Sequence, residues 1–220
     1  MKSNPLATRF VAPGKIPWYS HRGPSLGQLR SKFIDALHCR AAIVGPHGSG
    51  KSTLLEHLIP LLGTVALRRS TVNVGEQPPA AGELQSAPSS AAPSVVWLQL
   101  RGRAASGKLL LETRSEWMQR GRLLVIDGYE QLSHFCRWRA LWLTRSSGTG
   151  LLVTAHRATW LPTLVETHVD AALAQLILEQ LLPEETVARA QMLDAQRLSK
   201  LLEKHRGNLR ELFMELYDEF

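Results

Sequence analysis

Gly45-Pro46-His47-Gly48-Ser49-Gly50-Lys51-Ser52-Thr53 matches the pattern G-x-x-x-x-G-K-[ST] in full. Glycines at these places let the backbone wrap closely around an anion with its N–H groups pointing inward, and a following helix presents its positive N-terminal end to the same charge. Lys51 is placed to reach the β- and γ-phosphates of a nucleotide, and the Ser52 hydroxyl to ligate Mg²⁺. The flanks agree. Ala41-Ala42-Ile43-Val44 is a short apolar run of strand type, and residues 51–62 follow with a helical pattern. All nine loop residues, Gly45 to Thr53, are therefore predicted to bind nucleotide, with ATP and Mg²⁺ as cofactors. The competing reading is a glycine-rich turn that binds nothing.

Working outward, strand and helix signals alternate. Strands are predicted at 41–44, 64–67, 94–100, 123–126 and 151–154, and helices at 51–62, 108–120 and 131–145. Leu132, Phe135, Trp138, Leu141 and Trp142 supply the amphipathic period of the last of these. Residues 171–178 read as a weak strand with helix competing. Continuous apolar strands separated by helices predict an α/β fold, a P-loop NTPase parallel sheet covered by helices on both faces, followed by a short C-terminal helical lid. Residues 73–94 carry Pro78, Pro79, Pro88 and Pro93 among Ala, Ser and Gly, with almost no large apolar side chains. Such a stretch cannot bury enough surface to offset its ordering entropy, so it is expected to be a disordered insertion. The expected organisation is an N-terminal extended segment over 1–30, a nucleotide-binding core over 31–178 and a helical lid over 179–220.

A magnesium-nucleotide site needs an acidic partner for the metal. Asp127 ends the apolar run Leu123-Leu124-Val125-Ile126, the arrangement of a Walker B strand, and is the predicted second metal residue beside Ser52. The long separation between Lys51 and Asp127 is accounted for in large part by the predicted insertion.

The segments IVGPHGSGKSTLL, LLVIDGYEQL, LLVTAHR and GNLRELF together resemble the AAA+ and STAND groups of P-loop ATPases. Asp127-Gly128-Tyr129-Glu130 looks most like the NACHT-type branch, whose strand is followed by Asp-Gly-x-Asp-Glu. The resemblance implies a sensor role for Thr154, on the strand after Walker B, toward the γ-phosphate or the attacking water. It implies a lid arginine at Arg210, in the first turn of the last helix, and a trans-acting arginine finger at Arg145. It also places the region before the loop over the adenine, which makes Phe10, Ile16 and Trp18 candidates for base contact. The implied catalytic set is Lys51, Asp127, Glu130, Thr154 and Arg210. The chain departs from the pattern where Gln131 replaces a glutamate. A glutamine positions water but cannot take its proton, which leaves Glu130 as the nearby acid. The lid is also short for the family, and an appended effector or repeat domain is not expected.

Bulk properties set the outer limits. The chain has 220 residues, 44% hydrophobic and 20% charged. A chain of this size buries enough surface to fold without disulfides or metal. Cys39 and Cys136 are too few for a disulfide framework. The N-terminus lacks an apolar signal region, and no run approaches the ~20 residues that span a bilayer. A cytoplasmic protein without membrane segments is expected. The net charge of +7 suits polyanionic partners, but the basic residues are dispersed, so nucleic acid and a merely basic surface both stay open. The other partners implied are a second copy of the chain or another protein. His156 and Arg157 follow the sensor strand and are placed to face the nucleotide, with a satisfied surface pair as the favoured reading. The six tryptophans are expected to serve core and helix packing first. The favoured activity is an ATPase that drives or gates a conformational switch. A non-hydrolysing nucleotide-binding module and a P-loop small-molecule kinase are the alternatives. An ABC subunit is excluded by the lack of Leu-Ser-Gly-Gly-Gln, and a guanine-specific GTPase by the lack of Asn-Lys-x-Asp.

Overall fold

The computed structural model describes residues 4–20, 23–62, 67–72, 95–100, 121–182 and 192–219. Six strands, β1 (Arg40–Val44), β2 (Leu67–Val72), β3 (Val95–Leu100), β4 (Leu123–Asp127), β5 (Gly150–Ala155) and β6 (Thr163–Glu166), form one sheet in the order β2-β3-β4-β5-β1-β6. Every pairing is parallel. The described helices are α1 (Thr8–Val11), α2 (Leu26–Ser31), α3 (Lys51–Leu62), α4 (His134–Ser147), α5 (Ala171–Leu181), α6 (Ala195–Lys204) and α7 (Leu209–Glu219), with a π-turn at Lys32–Ala36 and a 3₁₀ turn at Tyr129–Gln131.

The central strands are apolar on both sides because both sides are covered. Ala41, Ile43, Val95, Trp97, Leu123, Val125 and Leu152 face one way, onto Leu54, Leu55 and Leu58 of α3, Leu29 of α2 and Phe33. Their neighbours Ala42, Val44, Val96, Leu98, Leu124, Ile126, Leu151 and Val153 face the other way, onto Tyr129, Leu132 and the Cys136 and Ala140 side of α4. This is the expected α/β P-loop architecture. A third cluster joins Ala174, Ile177 and Leu178 of α5 to Leu198 and Leu202 of α6, Leu212, Phe213 and Leu216 of α7, and Leu6 near the N-terminus.

Several local expectations are corrected. Residues 171–178 are helical: Asp170 caps α5 by accepting from the Leu173 N–H, and burial of Ala174, Ile177 and Leu178 follows helical spacing. The segment 1–30, read as extended, contains α1 and α2, the latter closed by a capping box between Ser25 and Gln28. β6 was not anticipated, since only Leu164 of its four residues is buried. α4 turns the opposite way from the expected one. It buries Cys136, Ala140, Leu143 and Thr144, while Phe135, Trp138 and Trp142 are exposed. Small side chains at 136 and 140 let the helix lie close on the sheet, where indoles would hold it off. The predicted insertion 73–94, the predicted helix 108–120 and the predicted strand 64–67 apart from Leu67 lie outside the described residues. Both cysteines are free, and no described helix is long and apolar enough to cross a membrane.

Candidate functional site

Parallel strands all deliver their C-terminal ends to the same edge, where ligands of open α/β sheets bind. Here β1 ends in the phosphate-type loop, β4 ends in Asp127 and β5 carries Thr154. Because Ile126 pairs with Val153, the next residue on each strand, Asp127 and Thr154, also come side by side. The structure thus brings together residues far apart in sequence. Ser52 Oγ donates to Asp127 Oδ2 at 2.8 Å, and Thr154 Oγ1 donates to Asp127 Oδ1 at 2.6 Å. The Gly128 N–H donates to the same Thr154 hydroxyl at 2.9 Å, so that oxygen links the end of β4 to β5.

Gly48 carries φ +68, a conformation that favours glycine, and a Cβ there would meet Asn208 and the Leu209 nitrogen at the start of α7. Lys51 is buried, its ammonium donating to the carbonyls of Gly45 and Pro46 at 2.6 and 2.5 Å. Burial lowers its pKa, while the carboxylates of Glu130 and Asp127 act to raise it. The loop is braced from β6 as well. Ser49 Oγ lies 2.7 Å from Thr167 Oγ1 and donates to the Pro46 carbonyl at 2.9 Å, and the Thr167 N–H donates to the Val44 carbonyl at 2.7 Å.

Gly128, at φ +90, turns the chain from β4 into the 3₁₀ turn that carries Glu130 and Gln131. A side chain at 128 would place its Cβ 2.8 Å from the Leu100 carbonyl, so the turn needs glycine twice over. Glu130 Oε1 lies 3.3 Å from His156 Nε2, and its Oε2 is buried without a hydrogen-bond partner among the described residues. His156 in turn packs on His47 of the loop, with ring centroids 3.6 Å apart. Burial holds the His156 pKa below its usual value. Lys51 and His47 push the same way, against the carboxylates of Glu130 and Asp127. Arg137 locks the turn by donating to the carbonyls of Leu132 and Glu130 at 2.9 and 2.8 Å. A cleft of about 670 Å³ opens beside these groups, lined by His47, Glu130, Gln131, Arg137, His156 and Trp160 among others.

Arg210 is exposed in the first turn of α7, where its N–H donates to Asn208 Oδ1 at 3.1 Å. Asn208 itself lies against the loop: a Cβ on Gly48 would sit 1.8 Å from its Oδ1. Arg145 is exposed in the last turn of α4. Trp18 reaches within 3.5 Å of where a Gly50 Cβ would stand, whereas Ile16 packs with the C-terminal cluster and Phe10 is exposed. The sequence reading of Asn208 as the cap of the last helix holds, but it missed Thr167, the contact of Asn208 with the loop and the His47–His156 contact. Each depends on a partner more than a hundred residues away, and a lone threonine, asparagine or histidine carries no pattern that points to it.

The donor set fits a magnesium ion. A serine hydroxyl and a carboxylate in direct contact, beside a buried lysine, are the oxygen ligands and the cation that Mg²⁺ with a polyphosphate uses. The strand–loop–helix and the parallel sheet are those of a P-loop nucleotide-binding fold. No family model matches the chain, and no curated protein does. Among solved structures, a lysine-to-arginine mutant of RuvB from Thermotoga maritima is similar, at 14% identity and a TM-score of 0.45, covering 88% of this chain. This chain spans 61% of the length of that one.

Proposed function

We propose that the protein binds Mg-ATP at the Gly45–Thr53 loop and hydrolyses it to drive or gate a conformational switch of the AAA+/STAND, NACHT-like type. The observation that carries this reading is the single carboxylate of Asp127 holding the hydroxyls of Ser52 and Thr154 on its two oxygens. That contact joins the loop, the β4 end and the β5 end at one point.

In this reading the loop N–H groups and Lys51 hold the phosphates, and Lys51 leaves the Gly45 and Pro46 carbonyls to do so. Ser52 and Asp127 hold Mg²⁺, whose charge offsets that of the phosphates when bound. Thr154 keeps Asp127 oriented. Glu130 takes the proton of the attacking water, since Gln131 cannot. His156 sets which way the Glu130 carboxylate points. The switch is relative movement of the helical lid, which packs as one cluster from Ala171 of α5 onward, against the core before it. Its contact with the loop is Asn208 on Gly48, and Arg210 lies two residues further on. A second copy of the chain or another protein is the partner that reads the switch, with Arg145 as the group it receives. The expected compartment is the cytoplasm.

A non-hydrolysing module is the second reading, favoured by Glu130 already being engaged by His156. Steady-state turnover separates the two. Glu130→Gln is expected to keep ATP affinity within a few-fold while lowering kcat by roughly 10²–10⁴, the worth of general-base catalysis. Wild-type turnover no higher than that of Glu130→Gln, at concentrations where copies can pair, would leave the module reading.

A further inference from the structure

α4 presents to solvent the kind of surface that proteins bury. Phe135, Trp138 and Trp142 are 60%, 54% and 56% exposed, and Trp160, whose ring lies 6.5 Å from that of His134 at the helix start, is 66% exposed. Spacings of three and seven residues put 135, 138 and 142 on one side of the helix, opposite the Cys136–Ala140–Leu143 side that meets the sheet. Eight large apolar side chains are exposed among the described residues, and half of them are these four aromatics. An apolar patch of this kind marks an interaction site.

Charge restricts the partner. From Gln131 to Val165 the sequence contains no Asp, Glu or Lys, but it contains Arg137, Arg139, Arg145 and Arg157. Arg145 and Arg157 are exposed, and Arg139 Nε is buried without a hydrogen-bond partner among the described residues. At the far end of α4, Arg40 anchors to the Leu141 and Thr149 carbonyls. Burial lowers its pKa first, and the nearby Arg145 lowers it further, the sign of two guanidinium groups close together. Of the residues lining the adjoining cleft, Glu130 alone carries a carboxylate, and it faces His156.

We propose that the outer face of α4, continued by Trp160 and Arg157, binds single-stranded nucleic acid. Flat rings with no aliphatic side chains among them match the faces of unpaired bases, which stack on indole and phenyl groups without regard to sequence. Arginine without lysine suits phosphate, which it grips in two-point fashion, and it stacks on bases as well. A duplex hides its base faces and would use only the arginines. An acidic peptide would use the arginines but leave the four rings without flat partners. From Phe135 to Trp142 the stripe runs about 10 Å, and with Trp160 it has room for roughly three or four nucleotides. Trp160, Arg157 and His134 line the cleft that His47 of the loop also lines, so that end of a bound strand lies next to the nucleotide site.

The test is fluorescence anisotropy of end-labelled 20-nucleotide oligodeoxythymidylate and oligouridylate titrated with the full chain. Binding to one or both is expected, weakening with salt at a slope of about −2 in log–log form for three phosphates. Trp138→Ala/Trp142→Ala is expected to raise Kd at least tenfold while leaving the melting temperature and the Mg-ATP response as in wild type. Arg145→Gln is expected to reduce the salt slope by about one. No binding to either strand overturns the proposal, as does undiminished binding by the double tryptophan variant. So does preferential binding to polyglutamate, to phosphatidylserine vesicles or to a second copy of the chain in sedimentation. Lys51→Ala is expected to bind the strands as wild type does, so this proposal and the ATP reading fail separately.

Discussion

Gly48→Ala tests the contact between the loop and the last helix, on which the proposed coupling of lid and nucleotide depends. The substitution has two costs. At φ +68 an L side chain is strained by about 1 kcal/mol. The new Cβ would also fall 1.8 Å from Asn208 Oδ1 and 2.7 Å from its Cγ, so the asparagine must move. Asn208 Oδ1 accepts from the N–H groups of Arg210 and Glu211 at 3.1 and 3.5 Å, as an N-cap does. Losing that cap costs about 1 kcal/mol. Gly48→Ala is therefore expected to destabilise by roughly 2 kcal/mol, and Asn208→Ala by about 1. The double variant loses the cap only once and should also cost roughly 2, which leaves a coupling of about 1 kcal/mol between residues 160 positions apart. Urea denaturation followed by circular dichroism measures all three. Additivity within about 0.5 kcal/mol would refute the contact.

Three further outcomes follow from the site. Because burial lowers the native pKa of His156 below that of the unfolded chain, the unfolded state takes up the proton first. Stability is then present above about pH 6.5 and is lost as pH falls through the lower native value. The melting temperature should decline from pH 7 toward pH 5, and His156→Gln should flatten that decline; an unchanged slope contradicts the burial of the ring. Thr154→Val leaves the Gly128 N–H and Asp127 Oδ1 without their partner and should cost about 1–3 kcal/mol in thermal unfolding. Asp127→Ala should abolish the difference that EDTA makes to ATP affinity in isothermal titration; a retained difference would place the metal elsewhere.

The legible parts of this molecule are those in which chemistry is local. Nine contiguous residues specify the loop, and an apolar run ending in an acid specifies β4 and Asp127. The run Leu151–Thr154 reads as a strand from its composition, and parallel register then carries Thr154 to Asp127. What sequence pattern conveys poorly is direction. The spacing of Phe135, Trp138 and Trp142 reveals a stripe on α4, but an apolar stripe reads as the buried one, and here the narrower Cys136–Ala140 side fits the sheet. Residues 171–178 are apolar except for Gln175, so neither period stands out, and the Asp170 cap and the packing on α6 select helix. Thr167, the loop contact of Asn208 and the tilted His47–His156 ring contact are consequences of chain crossings. Their side chains are short, polar and common, and only the fold gives them partners.

The central claim is that Gly45–Thr53 binds Mg-ATP, and the ligand-induced shift in melting temperature tests it most directly. At a free concentration 100-fold above Kd, binding to the native state adds about 2.7 kcal/mol. For a chain of this length that is a rise of roughly 5–10 °C. The account predicts this rise in the wild-type protein and its near disappearance in Lys51→Ala, each measured against its own nucleotide-free melting temperature. No rise in the wild type at millimolar Mg-ATP, or an equal rise in Lys51→Ala, would contradict it.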